Sequence, residues 1–163
     1  METDFQGLIR ILTRGGVKFI VVGGIAAAAH GSARVTSDLD IVYRRDDENI
    51  SALVAALSKL NPYPRGAPPG LPFRWDAETI KKGLNFTLTT SLGSLDLLGE
   101  ITGGGNFDDL TPHSLVVRLH GTDCLCLDVD WLIRVKRAAG RPKDFEAVAE
   151  LEAIEEERRN AMS

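Results

Sequence analysis

The stretch that most constrains this chain is "FIVVGGIAAAAHGSARVTSDLDIVY", residues 19 to 43. An apolar run ends in Gly23 and Gly24, gives way to an alanine-rich segment, and returns as a second apolar run with Asp38 and Asp40 at its mouth. "KFIVV" reads as a buried strand, "GGIAAAAHG" as a short helix opening at Ile25 directly after it, and "DLDIVY" as the next strand. Residues i and i+2 of a strand project from one face, so Asp38 and Asp40 point together while Leu39 faces the core. Two ionised carboxylates that close repel each other, and a divalent cation between them is the usual remedy. The free amides and dipole of a helix that starts just after two glycines make a natural anion site, and the missing side chains let a phosphate approach the backbone. The same residues also admit a plainer account, in which the glycines serve a tight turn and the aspartates serve as turn or cap residues.

The rest of the chain supplies one more carboxylate and a group of cations. "LNFTLTT" and "GSLDLLG" alternate with period two around a turn-prone "SLG", which predicts a hairpin. Asp96 lies in its second strand between two leucines, where strand interiors disfavour aspartate. Three such carboxylates suit a pair of hard cations roughly 3.5 to 4 Å apart, the arrangement that clamps the attacking and leaving oxygens of phosphoryl or nucleotidyl transfer. Between Arg134 and Lys143, a ten-residue stretch carries five positive charges (with Lys136, Arg137 and Arg141) and no acid. A helix C-terminus followed by Pro142 in the first turn of another helix accounts for most of them. A lysine turned toward the carboxylates would neutralise a triphosphate or a nucleic-acid backbone, and Lys136 is the first choice for it.

The order of elements is mixed α/β. Phe5, Leu8, Ile9 and Leu12 predict an amphipathic helix over 4–14, "DDENISALVAALSKL" a second with acids at its N-terminus, "SLVVRLHG" and "TDCLCLD" a further strand pair, and 128–139 and 143–159 two closing helices. Five of the seven prolines fall between Asn61 and Pro72, which predicts an extended surface loop without regular structure. "TGGGN" at 102–106 predicts a flexible loop. With 163 residues and 44% hydrophobic content the chain suits one domain, a core over about 17–127 and C-terminal helices over about 128–160.

Several functions are disfavoured. A net charge of −4 argues against wholesale non-specific nucleic-acid binding, although a local basic patch could hold RNA or a triphosphate. Cys124 and Cys126, the only cysteines, sit at the spacing of one strand face and not of a disulfide framework, which fits a reducing cytoplasm. No secretory leader is expected, and the segment from Val17 to Ala29 is too short to span a bilayer. The dinucleotide-binding pattern fails on the G-x-G-x-x-G spacing and on acids that start the next strand instead of ending it. His30, His113 and His120 lack metal-ligand spacing, and Ser32 and Ser37 lack a base. Trp131 reads as core, as do Phe73 and Trp75, for which base stacking is the alternative.

"VGG", thirteen residues, "DLDIV" and the later "SLDLL" resemble the nucleotidyltransferase fold of the DNA polymerase β superfamily. "HGSARVTSDLDIVY" and "LIRVKRAAGRPKDFEAVAEL" are similar to small bacterial nucleotidyltransferases that include the toxin halves of type IV toxin–antitoxin pairs, the AbiEii and MenT group. The resemblance implies a mixed sheet flanked by helices and a magnesium-dependent transfer of a nucleoside monophosphate from an NTP to a hydroxyl. It implies that Gly23 and Gly24 cradle the phosphates, that Asp38, Asp40 and Asp96 hold two Mg2+ ions, and that Asp96 helps activate the hydroxyl. Arg34 and Thr36 match positions lining the nucleotide site, Lys136 a lysine that contacts the triphosphate, and Asp144 a residue that orients it or its neighbours. The implied acceptor is the 3′ end of a tRNA, and the implied partner a cognate antitoxin; a small molecule such as an aminoglycoside, or a protein hydroxyl, is the alternative acceptor, and a nucleotide-binding module without turnover the non-enzymatic one. Many members carry serine where this chain has Gly24, so the resemblance implies that backbone amides would have to carry the phosphate contact here.

Overall fold

The computed structural model describes residues 2–162. A seven-stranded mixed sheet runs in the order β3-β4-β5-β2-β1-β9-β8. These strands are β1 (Phe19–Val22), β2 (Asp38–Tyr43), β3 (Tyr63–Pro64), β4 (Phe86–Thr90), β5 (Gly93–Leu98), β8 (Ser114–Leu119) and β9 (Thr122–Leu127). β1 and β2 are antiparallel, while β2 pairs with β5 and β1 with β9 in parallel. The helices are α1 (Phe5–Arg14), α2 (Gly23–Ala29), α3 (Asp47–Leu57), α4 (Ala77–Lys82), α5 (Phe107–Leu110), α6 (Val129–Ala139) and α7 (Pro142–Ala161).

Local chemistry explains most of these boundaries. Asp4, Asp46 and Asp128 each accept a hydrogen bond from the backbone N–H three residues on, at 2.9, 2.9 and 2.8 Å, and so cap α1, α3 and α6. α6 ends on Gly140, whose φ of +69° suits glycine. Leu8, Ile9 and Leu12 of α1 and Ile50, Leu53 and Leu57 of α3 join Val21, Leu39, Ile41 and Leu95 of the sheet in one hydrophobic cluster. Asn49 is buried and fully occupied: it accepts from the Lys18 N–H at 2.7 Å and donates to the carbonyls of Lys18 and Arg44 at 2.9 and 2.8 Å, which ties α3 to the ends of β1 and β2. α2 lies against β1 and β2, and α7 packs along α6.

The sheet, the hairpin of β4 and β5, the pair β8 and β9 and the two closing helices match the expectations. Four features differ. α2 begins at Gly23 and not at Ile25, so both glycines belong to its first turn. The proline-rich segment is not wholly irregular: Tyr63 and Pro64 pair with Thr89 and Leu88 at the sheet edge, a place where proline's missing donor costs nothing. The glycine run, expected as a flexible loop, closes a small hairpin of β6 (Glu100–Ile101) and β7 (Gly105–Asn106), and Asn106 with Asp109 forms a capping box that starts α5. α4 was not expected from the sequence, although Asp76 caps it through the Thr79 N–H at 2.8 Å. No helix among the described residues is long and apolar enough to cross a membrane.

Candidate active site

The register of two strands assembles the carboxylates. Along β2 the side chains alternate, Leu39 and Ile41 fully buried, Asp38 and Asp40 half-buried on the opposite face. Parallel pairing with β5 sets Asp96 level with Asp40, since Asp40 faces Asp96 and Leu39 faces Leu95 across the ladder. A side chain at Gly23 would put its Cβ 2.0 Å from an Asp40 oxygen, and the residue has a φ of +68°, so both space and backbone require glycine there. Burial, a side-chain hydrogen bond with Asp96 and the charges of Asp96 and Asp38, in that order, push the Asp40 carboxyl from 3.8 up to about 7, with Lys136 pulling the other way. Burial and crowding by its neighbours thus keep the proton on Asp40 to a higher pH than on an isolated aspartate.

Arg65 completes this cluster, and the sequence reading missed it. Its guanidinium donates to Asp96 Oδ1 at 2.7 Å, lies 3.7 Å from Asp38 Oδ2, and also donates to the Leu88 carbonyl at 2.8 Å. Its own N–H is held by the Thr87 carbonyl at 2.9 Å, which extends the edge pairing of β3 one residue further. One signal could have found it: Arg65 is the sole charged residue between Lys59 and Arg74, in a segment rich in proline and glycine. No three Asp, Glu, His or Cys side chains among the described residues are drawn together as a metal-binding set. The donor chemistry nevertheless suits a hard divalent cation, because three carboxylates from strands of fixed register share one face.

The phosphate side lies beside the carboxylates. Gly23, Gly24, Arg34, Thr36, Asp38, Asp40, Lys136 and Asp144 all line a cavity of about 270 Å³, to which Arg141 and Lys143 add their charges; Asp96 stands outside this lining. Gly24 is close-packed, since a Cβ there would fall 2.6 Å from Thr36 Oγ1. Thr36 in turn donates to the Asp38 carbonyl at 3.3 Å. The loop over 31–37 is strapped to α7: the Ser32 hydroxyl donates to Glu150 at 2.5 Å and Arg34 pairs with Glu146 at 3.2 Å. Lys136 is half-buried, and burial pulls its pKa below the ordinary lysine value while Asp144 and Asp40 oppose the shift. Asp144, 2% exposed, does not bond to Lys136. It accepts from the Arg141 Nε–H at 2.6 Å, the Arg141 backbone N–H at 3.1 Å and a second guanidinium N–H at 3.1 Å. These bonds with Arg141 hold its carboxyl below the usual range. Arg137 faces away and pairs with Glu152 on α7. A second cavity of about 160 Å³ shares Asp40 and Lys136 and is otherwise mostly apolar, with Val22, Leu98, Leu132 and Val135 in its wall.

The remaining sequence candidates lie elsewhere. His30 caps α2 and bonds the Leu127 carbonyl at 2.9 Å, His113 stacks on Trp131, and His120 stacks on Phe5. Phe73, Trp75 and Trp131 pack half-buried on the core, and the Trp75 indole donates to the Val54 carbonyl. Cys124 and Cys126 are free and buried, with burial pushing their thiols up to about 11 and about 12.

No protein-family model and no curated protein matches the chain in sequence. Solved structures match it in shape. The lincosamide antibiotic adenylyltransferase LnuA, solved with lincomycin bound, superposes with a TM-score of 0.59 at 13% identity, over 94% of this chain and 99% of that one. TM1012 of Thermotoga maritima, assigned provisionally as a nucleotidyltransferase, superposes with a TM-score of 0.54 at 16% identity, over 91% and 94%. The chain has the nucleotidyltransferase fold. Both matches span nearly the whole of each chain.

Proposed function

We propose that this protein is a nucleotidyltransferase that moves a nucleoside monophosphate from an NTP to an acceptor hydroxyl. One observation carries the reading: the register of β2 on β5 sets Asp40 against Asp96, next to a glycine-floored cavity walled by Arg34, Lys136 and Arg141. In this scheme Asp38, Asp40 and Asp96 hold Mg2+, which when bound supplies Lewis acidity to the reacting phosphate. The amides of Gly23 and Gly24 receive the phosphate oxygens, and Thr36 brings a hydroxyl into the space that a side chain at 24 would fill. Lys136, Arg34 and Arg141 neutralise the triphosphate and the pyrophosphate that leaves. Asp144 fixes the Arg141 fork. Asp96 accepts the proton of the attacking hydroxyl as the acceptor oxygen bonds to the α-phosphorus and the bond to pyrophosphate breaks.

For the acceptor, a small hydroxyl compound suits the site better than a polynucleotide. α7, which borders the cavity, carries Glu146, Glu150 and Glu152 beside its cations, and the chain as a whole is acidic, a poor ground for a phosphate backbone. LnuA, a lincosamide antibiotic adenylyltransferase, provides an example of a small acceptor on this fold. The tRNA 3′ end, and with it a toxin held by an antitoxin, forms the other arm of the test. Purified protein with each α-labelled NTP, Mg2+ and either total bacterial RNA or a panel of hydroxylated antibiotics and metabolites is expected to label the small acceptors. Label in a tRNA-sized band would move the acceptor to RNA, and no label on any acceptor would make the protein a nucleotide-binding module.

A further inference from the structure

We propose that Arg65 is an exchangeable counter-ion of the Asp38, Asp40 and Asp96 cluster, and that divalent metal enters by displacing its guanidinium and the edge segment that carries it. The inference rests on the metal-binding reading of these three aspartates. Among the described residues, Arg65 is the one cation in an ion pair with either Asp38 or Asp96. It takes up an Asp96 oxygen and approaches an Asp38 oxygen, two of the groups a bound metal would need. A monovalent fork and a divalent ion compete for these oxygens, because their charges repel at short range in a half-buried site.

Two features show that the pair is built for exchange. The guanidinium is incompletely satisfied: its Nε is buried and has no hydrogen-bond partner. A permanent structural bridge would leave no such donor, given the cost of an unpaired buried N–H. The segment that carries Arg65 is also lightly attached. Its edge pairing is short, Tyr63 and Pro64 on Thr89 and Leu88 and then the Arg65 N–H on the Thr87 carbonyl, and it runs on through Gly66 and Gly70, with φ of +79° and +88° and open space around both. Its main chain can therefore swing without repacking the core.

The test uses Mn2+ alone, with no nucleotide, and reads binding by titration calorimetry or by loss of the free-ion paramagnetic resonance signal. Arg65→Gln removes the competitor and is expected to bind Mn2+ roughly tenfold more tightly than the wild type. Arg65→Lys keeps the charge without the fork and is expected to fall between them. In the wild type, saturating Mn2+ is expected to speed amide hydrogen exchange at residues 63 to 70 while slowing it in β2 and β5. Equal or weaker binding in Arg65→Gln, with binding still abolished by Asp38→Ala, would overturn the exchange and leave the metal site standing. No Mn2+ binding in any of the proteins would overturn both. If Arg65→Gln does not fold, unchanged or slower exchange at 63 to 70 in the wild type overturns the inference by itself.

Discussion

Two arginine–aspartate pairs serve the candidate site, Arg141 with Asp144 in the cavity wall and Arg65 with Asp96 outside it, and they are built to different standards. Arg141 grips Asp144 through two side-chain N–H groups and a backbone N–H, occupying both carboxylate oxygens of a residue that is 2% exposed. Arg65 gives Asp96 one hydrogen bond, stands off from Asp38, and leaves its own Nε unpaired. The first pair is also sealed by sequence, since Arg141 and Asp144 are the N-cap and third residue of α7 and form one capping box. The second reaches across strands from a segment held by its edge. Completeness of hydrogen bonding separates a fixed strut from a contact that can be given up.

The largest effects come from removing the aspartates. Asp38→Ala is expected to lower the rate of labelled nucleotide transfer by roughly 10²–10³-fold, since it deletes a ligand to the reacting phosphates' counter-ions. Its urea midpoint should stay close to wild type or rise, because one of three crowded carboxylates is gone. Asp144→Ala should do the reverse for the fold, losing about 1–2 kcal/mol of stability through the lost cap and charge-assisted bonds. Added Mn2+ should leave that loss unrepaired. An Asp144→Ala protein as stable as wild type would break the contrast between strut and exchangeable contact.

Next in size is the floor of the phosphate end. Gly24→Ala would press its Cβ to 2.6 Å from Thr36 Oγ1, and is expected to cost about 1–3 kcal/mol in thermal stability through overpacking. Because the Thr36 Cβ is itself 2.7 Å from that point, Thr36→Ser should not relieve the strain and Thr36→Gly should. A double-mutant cycle with Gly24→Ala and Thr36→Gly is expected to show coupling on the order of 1 kcal/mol. Additive effects would mean that the two positions do not share space.

How much of this was legible in the sequence follows the same division. Strands with strict alternation announced themselves, and the period-two rule put Asp38, Asp40 and Asp96 on accessible strand faces before any register was known. Register itself was not legible: that Asp96 faces Asp40 depends on the parallel pairing of β2 with β5, which forty-odd intervening residues do not encode locally. Lys136 stood out in a basic stretch and Asp144 entered only through the family resemblance, as a residue that orients Lys136 or its neighbours; that it takes Arg141 follows from cap geometry that only the folded α7 defines. Arg65 was missed for the opposite reason. Its segment reads as irregular because of its prolines, and a proline at an edge strand position carries no periodic signal. The glycines at 103 to 105 misled similarly, since a tight hairpin and a flexible loop use the same residues.

The smallest effect, and the one that reports most directly on the carboxylate end, is the pH dependence of the metal-free protein. In the fold the Asp40 carboxyl is pushed up to about 7 from 3.8, chiefly by burial and by its hydrogen bond with Asp96. The folded state then holds this proton more tightly than the unfolded chain does. The resulting stabilisation is complete below about pH 4 and is lost as pH rises toward about 7, above which Asp40 adds no further slope. Asp40→Asn keeps the shape and hydrogen-bonding capacity without the ionisation, so the variant should be the more stable protein at pH 8, by on the order of 1 kcal/mol, and the gap should close at pH 4.5. Urea midpoints of both proteins at the two pH values, with EDTA present, measure the difference. Repeating the pH 8 pair with Mn2+ in place of EDTA sharpens the test, because a cation at the cluster stabilises ionised Asp40 and should raise the wild-type midpoint past that of the variant. A gap that is the same at pH 4.5 and pH 8 would mean that Arg65 already neutralises the cluster in full, and that the contact is a strut like that of Arg141 and Asp144.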